Sequence, residues 1–291
     1  MIRPEHPPEE LAARARAVEE AGFDELWLWE DCFLAGAIAS MATALAATSR
    51  VKVGVGIMPA PVRNPAFVAM EIAALERMHP GRVLAGFGHG AADWMRQIGA
   101  KPQSQLALLE ETIGAVKSLL AGERVSIEGR YVHLDGVRLD HPPDAAPPIL
   151  TGVRRPRSLA LSGRVADGTI LAEPSPLPYI EWAREQIAAT RPHRLTVFAW
   201  VSMNSDADAA REALRPVAAE RLEDGGPQIE QLGECADVEA VIDSAAVAGT
   251  PEQCAAAVRA IAGAGADSVV LVPAPGAELD VRALGSELAR P

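Results

Sequence analysis

Strand-length apolar runs alternate with longer segments of helical period along almost the whole 291-residue chain. This alternation is typical of repeated βα units, in which helices cover a parallel sheet. A chain of this length suits a TIM-type (βα)8 barrel of the α/β class, a fold of typically about 250 residues, so we expect a single barrel domain over residues 1–291. Seven strands are predicted, at 26–29, 51–57, 83–88, 148–151, 169–172, 195–201 and 268–272.

The same junction precedes three of these strands. A helix stop and a small or apolar residue are followed by Asp24, Asp167 or Asp267, and a buried strand comes next. This order suits the short αβ loops of a parallel sheet. Its recurrence across the chain supports the repeated architecture.

Three segments depart from the repeat. Residues 123–143 contain an alternating stretch with an Asp-Gly turn, which predicts a β-hairpin outside the barrel. Residues 206–250 are acidic and of helical period, and we expect a helical insertion there. Only residues 1–4 precede the first helix, so the first barrel strand is expected to be short or missing, either because it is vestigial or because the chain starts late.

Composition limits the partners. Asp and Glu outnumber Lys and Arg by 39 to 27, and this formal net charge of −12 argues against nucleic acid or an anionic membrane as a partner. Neither a signal peptide nor a membrane span of about 20 apolar residues is visible. Three scattered cysteines and isolated histidines predict no disulfide framework and no metal site. We therefore expect a cytoplasmic protein in which any anionic ligand meets a local basic cluster.

Two adjacent carboxylates follow the predicted strand that ends at Trp29. Active sites of barrel enzymes lie at the C-terminal ends of the strands, so Glu30, Asp31 and the neighbouring Cys32 are candidate site residues. The carboxylates could serve as acid, base or hydrogen-bond acceptor for a bound ring. The alternative is that one of them caps the helix that follows.

Glycines interrupt the next two predicted strands. Those before Ile57, at Gly54 and Gly56, permit a bulge or a close backbone approach to a ligand, although a ligand-free proline-rich turn is the alternative. Three alternate glycines surround His89, and Trp94 could cover one side of a flat ligand. This glycine pattern alone is weak evidence of nucleotide binding, and His89 could equally be an ordinary loop residue.

An arginine-rich turn opens the helix after the fourth predicted strand. Free backbone N–H groups, the helix dipole and guanidinium groups all favour a phosphate at such a place. A solvated, charged first turn is the alternative. The candidate anion-binding residues are Thr151, Gly152, Val153, Arg154 and Arg155, with Arg157 close behind them.

With these motifs, residues 7–273 resemble the bacterial luciferase-like superfamily. Within it, the resemblance is to the oxidoreductases that use the deazaflavin coenzyme F420, such as the methylenetetrahydromethanopterin reductases. The most specific stretch is 51–90, where the motifs at 54–57, 63–65, 80–82 and 86–90 stand in family order and spacing.

The resemblance implies a TIM-like barrel, commonly a homodimer, that binds flavin or deazaflavin at the C-terminal strand ends. Gly56 and Ile57 would form a non-prolyl cis peptide behind the ring, and residues 151–155 would hold the coenzyme phosphate. Candidates for proton transfer are Asp31, beside the ring, with Glu30 and His89. Candidate substrate contacts are Trp29, Cys32 and Trp94.

Two positions depart from the sugar-phosphate dehydrogenases of that family, which have histidine and glutamate where this chain has Cys32 and Ala91. Sugar-phosphate chemistry is therefore not expected, and Arg155 replaces a glycine that relatives often have in the phosphate loop. The leading prediction is an oxidoreductase that exchanges hydride between F420 and an unidentified small organic substrate. An FMN-dependent monooxygenase acting with molecular oxygen, or a non-catalytic protein that binds flavin or deazaflavin, is the alternative.

Overall fold

A computed structural model describes residues 1–274 and 280–288 of the chain. Within them, one sheet has the parallel order β1-β2-β3-β6-β7-β8-β10, with β9 also paired to β8, and β4 and β5 form a separate antiparallel pair. The strands contain all seven predicted ones and the predicted hairpin. They are β1 Glu25–Leu28, β2 Lys52–Pro59, β3 Val83–Gly88, β4 Val125–Glu128, β5 His133–Val137, β6 Ile149–Gly152, β7 Gly168–Leu171, β8 Arg194–Met203, β9 Ala246–Gly249 and β10 Ser268–Pro273.

Helices connect the strands and begin at residues suited to capping. The side chain of Asn64 accepts a hydrogen bond from the first turn of α3, and Thr250 forms a capping box with Gln253 at the start of α12. The helices are α1 Leu11–Glu20, α2 Ala37–Ala47, α3 Pro65–Met78, α4 Ala92–Gln97, α5 Gln105–Leu120, α6 Pro156–Val165, α7 Leu177–Ile187, α8 Ala207–Glu212, α9 Arg215–Asp224, α10 Pro227–Glu230, α11 Val238–Ala245, α12 Pro251–Gly263 and α13 Val281–Leu288.

Alternation along the strands divides the buried residues between two clusters. In β8, Val197 and Ala199 belong to the cluster that packs against the helices, whereas Phe198 and Trp200 belong to the other, inside the barrel. Trp27 of β1 meets Phe198 edge-to-face, with ring centroids 5.6 Å apart. The barrel interior is therefore packed with side chains, and ligands have room only at its ends.

The recurrent aspartates have a structural role. Asp167 accepts a hydrogen bond from the backbone N–H of Ile149 at 3.0 Å, and Asp267 accepts one from Leu195 at 2.7 Å. Each carboxylate thus binds the start of the neighbouring strand, which aligns adjacent strands at the N-terminal end of the barrel. Asp24 acts differently, because its backbone carbonyl accepts from Lys52.

The N-terminal residues bridge the two outer strands of the sheet. The backbone N–H of Ile2 donates to Trp27 at 3.1 Å, and the amino group of Met1 donates to the carbonyl of Leu271 in β10 at 2.8 Å. No strand is assigned to residues 1–4, in agreement with the expectation of a short or missing first strand.

The predicted helical insertion at 206–250 contains α8 to α11 but ends in a strand that the sequence did not predict. This strand, β9, pairs with β8 from Trp200 to Met203. Trp200 also pairs with Val272 of β10, so β9 and β10 lie on opposite sides of β8. Among the described residues, none of the helices is both long and apolar enough to cross a lipid bilayer.

Candidate active site

The C-terminal end of β2 carries the predicted irregularity. The pairing of β2 with β3 shifts register between Val55 and Met58, and the peptide bond between Gly56 and Ile57 is cis, as expected from the resemblance. A second non-prolyl cis peptide, between Cys32 and Phe33, was not predicted.

Ile57 packs closely against two glycines of the neighbouring strands. A Cβ on Gly88 would lie 2.9 Å from Cγ1 of Ile57 and 3.0 Å from the carbonyl oxygen of Gly152. A Cβ on Gly152 would overlap Cγ2 of Ile57. Ile57 is partly buried, and these three residues form an apolar group at the C-terminal ends of β2, β3 and β6, where active sites of barrel enzymes lie. We call Ile57, Gly88 and Gly152 the glycine shelf.

Glu30 is held by two partners. Its carboxylate forms a two-pronged ion pair with Arg63, with both N–O distances 2.5 Å, and accepts a hydrogen bond from the N–H of Ala37 at the start of α2. The side chains of Glu30 and Arg63 are only 14% and 17% exposed. These contacts use both carboxylate oxygens and favour a positioning role, while the catalytic role expected for Glu30 stays a prediction.

Asp31 lies half-buried in a cluster of charged side chains. Burial raises its pKa, Glu5 acts in the same direction, and Arg3 opposes them. Arg3 is held by an ion pair to Glu5 at 2.6 Å and lies over the ring of Trp29, 5.4 Å from its centroid. A carboxyl group with a raised pKa is suited to holding a proton, which keeps Asp31 a candidate acid.

Glu173, at the end of β7, is a site residue that the sequence analysis missed. Burial raises the pKa of this carboxyl group, Asp31 acts in the same direction, and Arg221 and Arg3 oppose them. It therefore belongs to the same electrostatic cluster as Asp31. The rule that singled out Glu30, a carboxylate directly after a predicted strand, would have found it.

His89 points towards the first turn of α6. Its Nε2 lies 3.2 Å from the hydroxyl of Ser158, and the backbone of Gln105 favours the protonated form of the ring. Burial lowers the pKa of the imidazole, so it is neutral at pH 7. The role in proton transfer expected for His89 stays a prediction.

Two side-chain hydrogen bonds fix the predicted anion-binding turn to the helices α6 and α7. Thr151 is fully buried and donates its hydroxyl proton to Ser162 at 2.6 Å, so its side chain serves the fold and only its backbone is available to a ligand. Tyr179 donates to the carbonyl oxygen of Arg154 at 2.9 Å. Val153 is buried, whereas the side chains of Arg154 and Arg155 are exposed.

A cavity of about 200 Å³ adjoins this turn. Its lining includes Arg154 and Arg155 of the turn, Arg221 of α9 and Gln228 of α10. Neither Arg221 nor Gln228 was among the predicted site residues, because the acidic, helical pattern of the insertion gave no sign of a site.

The three predicted substrate contacts lie on different elements near the same end of the barrel. Trp29 and Cys32 follow β1, and Trp94 lies on the short helix α4 after β3; all three are partly buried. Burial raises the pKa of the Cys32 thiol, and Glu30 and Asp31 act in the same direction, so it is a thiol at pH 7. Within the described residues, no group of His, Cys, Asp or Glu side chains is arranged to hold a metal ion.

Comparison with known proteins gives matches over the whole barrel. The family model for luciferase-like monooxygenases matches residues 1–268. A 5,10-methylenetetrahydromethanopterin reductase of Methanolobus tindarius is 26% identical over 319 residues, which cover 98% of this chain and 97% of the reductase. An F420-dependent glucose-6-phosphate dehydrogenase of Nakamurella multipartita is 32% identical over 176 residues, and the chain spans only about half of its length (52%).

A solved structure has the same architecture. The coenzyme F420 dependent tetrahydromethanopterin reductase from Methanopyrus kandleri superposes with a TM-score of 0.85 at 20% identity, covering 99% of this chain and 96% of that one. This match confirms the predicted barrel of the luciferase-like type.

Proposed function

Because the chain belongs to the luciferase-like monooxygenase family, we propose that it is an F420-dependent oxidoreductase acting on a small organic substrate. The dehydrogenase of Nakamurella multipartita and the reductase of Methanopyrus kandleri are both named as F420-dependent, which supports F420 rather than FMN as the coenzyme. When bound, the deazaflavin would supply a carbon that donates or accepts a hydride. The protein would hold coenzyme and substrate face to face and exclude water from between them.

The observation that carries this proposal is the glycine shelf beside the predicted anion-binding turn. We call this turn, residues 151–155, the arginine turn. Ile57 presents an apolar side chain between two glycines, and any larger residue at Gly88 or Gly152 would collide with it. Gly152, one of the shelf residues, also belongs to the arginine turn. The N–H and guanidinium groups of that turn therefore lie next to the shelf. A flat ring on the shelf would therefore carry its phosphate tail towards Arg154 and Arg155, which bind anions well.

Proton movement in this proposal falls to the carboxyl groups near β1 and β7. Burial raises the pKa of both Asp31 and Glu173, so each binds a proton more readily than an exposed carboxyl group. Asp31 disfavours ionisation of Glu173, Glu5 disfavours ionisation of Asp31, and Arg3 stabilises the charged form of both Asp31 and Glu173. One proton shared in this cluster could be delivered to, or taken from, the substrate oxygen or nitrogen as the hydride moves.

Titration of the purified protein with F420 and with FMN tests the coenzyme. F420 is expected to bind at micromolar concentration and FMN at least about tenfold more weakly, a difference of about 1.4 kcal/mol. Failure of F420 to bind would overturn the proposal. Oxygen consumption with reduced FMN would establish the monooxygenase instead, and tight F420 binding without turnover on any substrate would establish a non-catalytic binding protein.

An exposed apolar stripe on α3 supports the expectation of a homodimer. Phe67, Met70 and Met78 are 67%, 51% and 63% exposed, and their helical spacing places them on one face. We propose that a second copy covers this face, in a protein that acts in the cytoplasm. Light scattering should give twice the chain mass, and the double variant F67E/M70E should be a monomer. A monomeric wild type would contradict the dimer.

A further inference from the structure

Two residues that line the cavity beside the arginine turn have buried polar atoms that lack partners among the described residues. The side chain of Gln228 is only 3% exposed, and its Nε2 makes no hydrogen bond with any described residue. Nε of Arg221 is likewise buried without a partner, although Nη1 of the same guanidinium donates to Asp224 at 3.0 Å. A buried donor left unpaired destabilises the protein, so an acceptor brought by a ligand would be favoured here.

The charges around the cavity also favour an anion. Arg154, Arg155 and Arg221 contribute three positive charges to its lining, against the single negative charge of Asp224. This excess stands out in a chain whose net charge is −12. A guanidinium N–H and a side-chain amide N–H are donors suited to the two oxygens of a carboxylate.

We propose that this cavity binds a carboxylate that the coenzyme carries beyond its phosphate. The inference rests on the proposed function, in which Arg154 and Arg155 bind the coenzyme phosphate; the same two residues line the cavity, so the cavity begins where the phosphate site ends. F420 continues past its phosphodiester into a lactyl group and glutamyl units with free carboxylates, whereas FMN ends at a phosphate monoester. Arg221 and Gln228 would therefore select for the longer coenzyme.

Binding constants for three ligands test this inference: F420, deazariboflavin phosphate without the tail, and FMN. The wild type should bind F420 at least about tenfold more tightly than the phosphate without the tail. In R221Q and Q228L this advantage should shrink to about twofold or less, with affinity for the tail-less phosphate unchanged. R215Q is the matched control, because Arg215 lies on the same helix but pairs with Glu212 and Glu239 away from the cavity.

Q228L carries a second readout that separates binding from folding. Replacing an unpaired buried amide with an apolar side chain of similar size should leave the coenzyme-free protein as stable as the wild type or more so. Its melting temperature should therefore hold or rise while its affinity for F420 falls. A fall in both would mean that the amide is needed by the fold and would overturn the assignment.

Glutarate, a simple dicarboxylate, distinguishes a coenzyme carboxylate from a substrate carboxylate. It should raise the melting temperature of the wild type loaded with deazariboflavin phosphate, but not of the protein loaded with F420, whose tail would already fill the cavity. An effect in both would assign the cavity to the substrate and overturn the inference.

The remaining outcomes separate this inference from the proposed function. Equal binding of F420 and the tail-less phosphate by the wild type would overturn the inference alone. Equal losses for both ligands in R221Q would assign Arg221 to the phosphate and would also overturn it. Failure of the wild type to bind any deazaflavin would overturn both.

Discussion

A methyl group at Gly88 provides a sharp test of the glycine shelf. In G88A the new carbon would lie 2.9 Å from Cγ1 of Ile57 and 3.0 Å from the oxygen of Gly152. Ordinary carbon contacts are about 3.5–4.0 Å, so the neighbours must move apart by roughly 0.5–1 Å. One of the two neighbours is backbone, and Ile57 is branched at Cβ, so neither can give way freely.

Overpacking of this kind costs about 1–3 kcal/mol, and replacing glycine with alanine in a strand returns roughly 0.5–1 kcal/mol. The net expectation is a loss of about 1–2 kcal/mol. If the displacement of Ile57 falls on the ring-binding surface, the Kd for F420 should rise roughly 5- to 30-fold. Fluorescence titration gives the Kd, and urea unfolding gives the stability.

G114A is the matched control for this experiment. Gly114 lies in α5, and a methyl group added there would meet no atom within 4 Å beyond its chain neighbours and its own helix backbone. Alanine should therefore stabilise the protein by about 0.5–1 kcal/mol and leave the Kd unchanged. A G88A protein that binds F420 as the wild type does would refute the ring site on the shelf.

Three further predictions concern Glu30, Tyr179 and Asp31. E30Q leaves Arg63 partly buried without its charged partner and should lower the free energy of unfolding by about 2 kcal/mol, less than for a fully buried pair. Y179F removes the hydrogen bond to Arg154 and should cost about 1 kcal/mol, with weaker binding of F420 but not of deazariboflavin, which has no phosphate. D31N should be more stable than the wild type above pH 7, and this gain should vanish as the pH falls towards 3.8, the ordinary pKa of Asp.

The sign of the last prediction follows from the raised pKa of Asp31. Folding disfavours the charged carboxylate, so the wild type is destabilised at a pH above the folded pKa and not at a pH below the unfolded one. Urea unfolding across pH 4–8 measures the difference, with D144N as an exposed control. A D31N variant less stable than the wild type at pH 8 would contradict the burial argument.

For E30Q, lost turnover with unchanged stability would favour a catalytic role of Glu30 over a positioning role. For Y179F, unchanged affinity for F420 would show that Tyr179 does not position the turn that binds the phosphate.

Much of the barrel could be predicted because short sequence patterns indicate most of its strands and helices. Buried strands such as Val83–Gly88 are continuous apolar runs, and Asn64 before Pro65 marks a helix start. Strand β9 was missed because Ala246–Gly249 continues the apolar residues of the helix before it, and only pairing with β8 makes it a strand.

The site was harder to predict because its electrostatics depend on residues distant in sequence. Glu30 and Asp31 are adjacent in the chain, yet one is held by Arg63 and the other lies among Arg3, Glu5 and Glu173. These partners lie far from Glu30 and Asp31 in the sequence. The position of the two carboxylates after a predicted strand therefore indicated that both are candidates but did not distinguish their roles. The sequence likewise does not indicate that Arg221 and Gln228 line a cavity, because this depends on the insertion packing beside Arg154 and Arg155 in the folded chain.

The most direct test of the central claim is to identify the coenzyme that copurifies with the full chain from a host that makes both F420 and FMN. Mass spectrometry of the released ligand should detect F420 with its glutamyl tail, in a ratio approaching one per chain. FMN in its place would contradict the account and would establish the flavin-dependent alternative.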